Sequence, residues 1–158
     1  MLRIQPRSVD AAASKRRSLL RDTCGAAAIE LAVTLPVFLA LAIGTLKFGV
    51  AMSQYLTLNN AAAQGAMAFA LSRGTSNPYD ATTTAITNAS PNLVSANVTK
   101  TLSVNGTACT SDGTACQNAL VAGGTASVTV SYPCDLSVLG VNFKSNCSLS
   151  STAAQMVQ

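Results

Sequence analysis

Apolar residues dominate the chain directly after residue 25. Sixteen uncharged and mostly apolar residues run from Leu31 to Leu46, between Glu30 and Lys47. A membrane-spanning helix needs about 20 such residues, a length that is reached here if Glu30 and Lys47 lie at the two membrane interfaces. We therefore predict a transmembrane helix over residues 26–52. The alternative is a buried core helix of a soluble protein, but few residues follow that could surround it.

The apolar pattern becomes amphipathic from Val50 to Ser72. This period is typical of a helix that packs one face on a domain. The helix is therefore expected to continue out of the membrane, and a helix over residues 28–72 would be roughly 68 Å long. We predict that its apolar face comprises Met52, Tyr55, Leu56, Ala63, Ala66, Met67 and Ala70.

The apolar period changes to two in the last third of the chain. Apolar residues alternate with Ser, Thr and Asn over residues 94–104 and 126–132, with Lys100 as the exception, and residues 147–157 form a plausible last strand. Asn105-Gly106 is a strong hairpin-turn signal. A short helix is expected from Pro78 to about residue 89.

These elements predict an α+β fold. A long N-terminal helix, first transmembrane and then amphipathic, is expected to pack on a small antiparallel sheet. The predicted organisation is a segment 1–25, a membrane helix 26–52 and an exported head 53–158, in which a helix spans 53–72 and a β-rich region spans 92–158.

The positive charge of the chain lies at its start. Residues 1–25 account for the whole net charge of +4, and the remaining residues sum to zero. By the positive-inside rule, residues 1–25 stay in the cytoplasm and the chain after about residue 50 is exported. No nucleic-acid partner is expected, because the body of the chain is neutral and has no basic and aromatic cluster.

The residue types favour a structural role. The chain has no His and only six carboxylates, and it has no P-loop, dinucleotide-binding turn, nucleophile elbow or carboxylate pair. We therefore expect no enzymatic activity, no cofactor and no metal site.

Four of the five cysteines follow residue 100, and an even number in a small exported domain is typical of disulfides. The sequential pairs Cys109 with Cys116 and Cys134 with Cys147 are favoured, because each closes a short loop that contains turn residues. Two alternatives stay open, a zinc site built from the four thiolates and free thiols. The fifth cysteine, Cys24, lies in the basic N-terminal segment.

A motif stands where the basic and apolar segments meet. Gly25-Ala26-Ala27-Ala28-Ile29-Glu30 places a glycine, small residues and then a lone carboxylate at the start of an apolar helix. The motif and helix resemble a class III (type IV-like) prepilin, and more closely the TadE-type minor pilins, or pseudopilins, of tight-adherence (Flp) pili. The resemblance is strongest over residues 24–72, and two terminal strands weakly match the family's pattern.

The resemblance implies that a prepilin peptidase cleaves between Gly25 and Ala26 on the cytoplasmic side and removes residues 1–25, including Cys24. The subunit would sit in the bacterial inner membrane with a periplasmic C-terminus, and then join other pilin or pseudopilin subunits and the assembly machinery in a pilus. Its head would be pilin-like.

Two features of the apolar helix are candidates for assembly. Glu30 either favours the positive end of the helix dipole or pairs with the new α-amino group of Ala26 on a neighbouring subunit. The small-residue pairs Ala28 with Ala32 and Ala40 with Gly44 either let neighbouring helices approach closely or reflect helix propensity alone.

A different class of function remains possible on the sequence. The chain could be a single-pass or signal-processed periplasmic or surface-binding protein with no filament role. A signal peptide is disfavoured, because the apolar pattern continues past residue 50 without a clear cleavage site.

Overall fold

A helix of 49 residues, α1 (Thr23–Leu71), opens the described part of the chain. The computed structural model describes residues 23–138 and 140–158, with side chains from Gly25 onward. Nearly all of the predicted segment 1–25, including the side chain of Cys24, lies outside this part. The described chain divides into two compact units, one ending at Ala42 and the other spanning Ile43–Gln158.

The start of α1 differs from the sequence-based expectation. We expected the helix to begin near Ala26, just after Gly25, but the chain is already helical at Thr23. A glycine inside a helix costs only about 1 kcal/mol relative to alanine, which is too little to stop a helix with strong helix formers after it. The helix also continues through Pro36, as a proline in an apolar helix can when neighbouring groups compensate for the missing donor.

The elements that follow α1 confirm the α+β class. In chain order they are α2 (Pro78–Ala89), a 3₁₀ turn (Ser95–Asn97), β1 (Thr99–Val104), β2 (Thr107–Cys109), α3 (Thr114–Ala119), β3 (Thr125–Pro133), β4 (Ser137–Val138), β5 (Val141–Asn142) and β6 (Ser148–Met156). The predicted strand over 94–104 is shorter than expected, because its first residues form the 3₁₀ turn.

Four of the strands form one antiparallel sheet in the order β2-β1-β3-β6. β1 and β2 are joined by the predicted turn, in which Asn105 and Gly106 both have positive φ angles (47° and 84°). This is the backbone of a type I′ hairpin turn, which Asn-Gly favours. β4 and β5 form a separate two-stranded hairpin between β3 and β6.

The head's core lies between the second half of α1 and one face of the sheet. Alternate residues of β1 and β3 point into it and are fully or almost fully buried, and Ile86 of α2 joins them. On the opposite face, Thr129 and Thr152 form a cross-strand hydroxyl hydrogen bond of 2.8 Å. The alternation predicted from residues 126–132 is therefore the inward and outward alternation of β3. The buried strand residues are Leu102, Val104, Ala126, Val128 and Val130.

The face of α1 that enters this core is not the predicted one. Of the seven residues predicted to form the apolar face, Ala66 and Ala70 are buried, whereas Met52, Tyr55, Leu56, Ala63 and Met67 are exposed. The buried face instead comprises Leu58, Ala61, Ala62, Gly65, Ala66, Phe69 and Ala70. Small residues dominate this face because the helix lies close to its partners. A Cβ added to Gly65 would lie 2.6 Å from Ile86 Cγ1 and 3.3 Å from Val128 Cγ1.

Lys100, the exception in the alternating pattern, is accommodated by α2. Its register partner in β3 is Val130, on the buried face of the sheet. The ammonium donates hydrogen bonds to Thr87 Oγ1 (2.9 Å) and to the Thr83 carbonyl (3.4 Å). The lysine stem can thus cover apolar surface while its charged end reaches polar partners.

Candidate membrane anchor, processing motif and disulfide loops

The first half of α1 exposes almost every apolar side chain it carries. Ile29, Leu31, Val33, Phe38 and Leu41 each leave more than half of their surface uncovered. In the described part of the chain, one helix, Gly25–Leu71, is long and apolar enough to cross a membrane, and none of its most apolar 18 residues is buried. A surface of this kind suits lipid or neighbouring apolar helices far better than water.

The residues of the candidate processing motif, Gly25 to Glu30, lie on the exposed first turns of this helix. Gly25 and Ala26 are both helical and exposed, and among the described residues outside this turn of helix none places an atom within 4 Å of the position that a Cβ on Gly25 would take. Glu30 is also exposed, and the Thr34 hydroxyl donates to its backbone carbonyl over 2.9 Å. The Glu30 carboxylate is therefore presented outward.

The four residues of the small-residue pairs differ in exposure. Ala28 and Ala32 are exposed, whereas Ala40 and Gly44 are half-buried within the chain. The first pair is thus the better placed of the two to meet another helix. The role of both pairs in helix packing stays a prediction.

An ion pair joins the end of the apolar run to the head. Lys47 Nζ donates to Asp135 Oδ2 over 2.8 Å. The Lys47 ammonium holds the pKa of the Asp135 carboxyl well below its usual range, and hydrogen bonds from Ser137 act in the same direction. Both side chains are partly open to solvent, so this pair fixes the position of a loop more than it adds to stability.

Asp135 lies in a loop whose two ends are joined by a disulfide. Cys134 and Cys147 form a disulfide with their Cα atoms 5.0 Å apart, and the Cys134 amide donates to the Cys147 carbonyl. The β4–β5 hairpin lies between them. We call the described residues of this segment, 134–138 and 140–147, the hairpin loop.

The second disulfide joins Cys109 of β2 to Cys116 of α3, and both residues are almost fully buried. Asp112, between them, accepts hydrogen bonds from the amides of Tyr79 (2.6 Å) and Asp80 (3.3 Å) at the start of α2. A carboxylate in this place satisfies donors that the helix itself leaves free. The structure therefore joins the four head cysteines in the sequential pairs that the sequence favours, and does not gather them into one four-thiolate site.

Sequence reasoning missed the partners of Lys47 and of the α2 amides. Lys47 and Asp135 are 88 positions apart, and Asp112 lies 33 positions after Tyr79. No local pattern marks contacts of this range. The sequence marked these two aspartates only indirectly, since Asp112 lies between Cys109 and Cys116 and Asp135 lies between Cys134 and Cys147.

The comparisons with known proteins bear on the first half of the chain. No curated protein and no solved structure matches the chain. The sequence model of the family described as TadE-like protein matches residues 25–67, from Gly25 into the buried half of α1, and so confirms the resemblance over this segment.

Proposed function

We propose that the chain is a minor pilin or pseudopilin subunit of a tight-adherence pilus. The TadE-like match suggests involvement in the Tad pilus system. The observation that carries the proposal is the division of one helix into two roles. The apolar first half of α1 is exposed along its length, whereas its second half supplies the core of a disulfide-bonded head. A subunit that is held first by lipid and then by the helices of its neighbours needs such a helix.

The proposed topology follows from the charge distribution. The basic residues before position 25 stay on the cytoplasmic side of the bacterial inner membrane, residues 26–52 cross it, and the head of residues 53–158 lies in the periplasm. Disulfide formation in the head is compatible with that compartment, which is oxidising. Other pilin subunits and the pilus assembly machinery are the proposed partners of the exported form.

The proposed maturation step is hydrolysis of the peptide bond between Gly25 and Ala26 by a prepilin peptidase. Proteases bind their substrates in extended form, so this first turn of α1 has to unwind before cleavage. Gly25 lowers the cost of unwinding by about 1 kcal/mol relative to alanine and lets the enzyme approach the backbone closely. Cleavage would remove the basic segment together with Cys24 and leave Ala26 as the new N-terminus.

The proposed assembly step uses the charge that this cleavage creates. Cleavage creates an α-amino group on Ala26, which carries a positive charge in its protonated form. Glu30, which points away from its own helix, would pair with this amine on a neighbouring subunit. A carboxylate among apolar helices is costly unless it finds such a partner, so the pair would select the register in which subunits add.

Processing can be tested by co-expressing the full chain with its cognate peptidase and following the size of the product. Gly25→Ala is expected to remain at precursor size, because alanine stabilises the turn and adds a side chain at the scissile bond. Gly49→Ala, in the same helix and equally free of neighbours within 4 Å, is the matched control and should be cleaved like the parent. Normal cleavage of Gly25→Ala would contradict the assigned site.

A further inference from the structure

The hairpin loop differs in character from the rest of the head surface. Much of the outer sheet face carries Ser and Thr, but the described residues of the hairpin loop expose two large apolar side chains. Phe143 is 72% exposed, the highest value among the large apolar side chains in the described part of the chain, and Val141 is 60% exposed. Lys144 follows Phe143 directly. An apolar tip beside a cation is a combination that suits a lipid surface.

The loop is held in a defined conformation. The disulfide closes its base, and the β4–β5 register pairs Ser137 with Asn142 and Val138 with Val141. Within it, the amide of Ser137 donates to Asp135 Oδ1 over 3.0 Å. A loop restrained by these contacts loses less conformational freedom when Val141 and Phe143 meet a partner.

The Lys47–Asp135 ion pair fixes the position of the hairpin loop along the axis of α1. Lys47 lies seventeen positions after Glu30 in the same helix, which at 1.5 Å per residue is about 26 Å, close to the thickness of a bilayer's hydrocarbon core. With Glu30 at one interface, Lys47 therefore reaches the other, where its ammonium extends toward water. Asp135 lies 2.8 Å from that ammonium, so the base of the hairpin loop lies at the same level.

We propose that the hairpin loop inserts Val141 and Phe143 into the outer headgroup layer of the same bilayer that α1 spans, with Lys144 against anionic headgroups. The inference rests on the membrane insertion of α1 in the proposed function. The bilayer is the occupant that the geometry favours, because the ion pair ties the loop to the residue at which the apolar run meets the membrane surface. The contact would fix how the head stands on the membrane before assembly.

The absence of tryptophan from the chain allows a direct test. Phe143→Trp is reconstituted as the full, oxidised chain in phosphatidylethanolamine and phosphatidylglycerol vesicles, with and without brominated lipid as a quencher. Val121→Trp is the matched control. Val121 is 52% exposed and precedes β3, whose nine residues place it about 30 Å from the hairpin loop. Phe38→Trp, in the apolar half of α1, reports insertion of the helix itself.

The expected result is blue-shifted emission from Phe143→Trp and loss of most of that emission in brominated vesicles, while Val121→Trp emits as in water and is not quenched. If Phe38→Trp is quenched but Phe143→Trp behaves like Val121→Trp, the loop does not touch lipid and the inference is wrong, although the anchor stands. If Phe38→Trp is not quenched, both the anchor and the inference fail.

A second measurement separates lipid from a second copy of the chain. Nanodiscs of the same lipids, each holding one chain, should give the same shift and quenching for Phe143→Trp as the vesicles do. Shielding in crowded vesicles that disappears in the single-chain nanodiscs would show that another subunit covers the loop, and it would overturn the proposal.

Discussion

The close approach of α1 to its partners at Gly65 makes the packing of the head testable with one methyl group. In Gly65→Ala the new Cβ would lie 2.6 Å from Ile86 Cγ1, 3.1 Å from Ile86 Cδ1 and 3.3 Å from Val128 Cγ1. Ile86 and Val128 are both fully buried, so any shift that relieves this contact has to be accommodated inside the core.

Two opposing effects set the size of the change. Replacing a helical glycine by alanine stabilises a helix by about 1 kcal/mol. Inserting a methyl group into a filled core costs about 1–3 kcal/mol, and the 2.6 Å approach places this site in the upper part of that range. We therefore expect Gly65→Ala to lower the free energy of unfolding of the head by about 1–2 kcal/mol.

The assay is urea-dependent proteolysis of the full chain in a mild detergent, which reports the fraction of folded head at each urea concentration. Gly49→Ala, where the added Cβ meets no side chain or neighbouring element within 4 Å, is the matched control and should be at least as stable as the parent. Ile86→Ala is a second variant, which on its own should lower the free energy of unfolding by about 2–5 kcal/mol because it leaves a cavity. The double variant Gly65→Ala/Ile86→Ala should lose less stability than the sum of the two single variants, since the new methyl group occupies part of that cavity. A Gly65→Ala chain as stable as the parent would refute the packing described here.

Three further predictions concern charged groups. Asp112→Ala should lower the stability of the head by about 1 kcal/mol in the same assay, because the α2 amides lose their acceptor. Asp112→Asn keeps an acceptor oxygen and should therefore be less destabilising. Equal losses of stability in the two variants would contradict the capping role of Asp112. In a carbon NMR titration, the pKa of the Asp135 carboxyl should lie well below the ordinary aspartate value of about 3.9. The contribution of this carboxylate to stability is then complete above the ordinary value, and it is lost as the pH falls through the lowered pKa. Lys47→Gln should raise the pKa of Asp135 toward the ordinary value, and an unchanged titration would refute the ion pair. Glu30→Gln should be cleaved normally but should enter sheared pili poorly, as measured by immunoblot, and normal incorporation would argue against a charge-paired assembly step.

The sequence predicted those parts of the fold that follow from short-range patterns. The Asn105-Gly106 turn, the alternation of β3 and the start of α2 at Pro78 all have local signals, namely turn residues, a period of two and the preference of proline for the first helical turn. The resemblance in the first half of the chain rested likewise on a contiguous motif and an apolar run. These elements could be predicted because neighbouring residues determine them.

The buried face of α1 could not be predicted in the same way. Hydropathy favours the large side chains of Met52, Leu56 and Met67, and these are exposed. The head instead selects small residues around Gly65, because α1 lies too close to α2 and β3 for larger ones. Alanine and glycine contribute little to a hydropathy pattern, so hydrophobic periodicity does not identify a helix face that is buried because its residues are small.

Maturation by cleavage after Gly25 can be read directly from the mature N-terminus by mass spectrometry. The measurement uses the full-length chain produced with its cognate peptidase and isolated from membranes and sheared pili. We expect an N-terminal peptide that begins at Ala26. An intact Met1, or a terminus near residues 44–52 as signal-peptide processing would give, would contradict it.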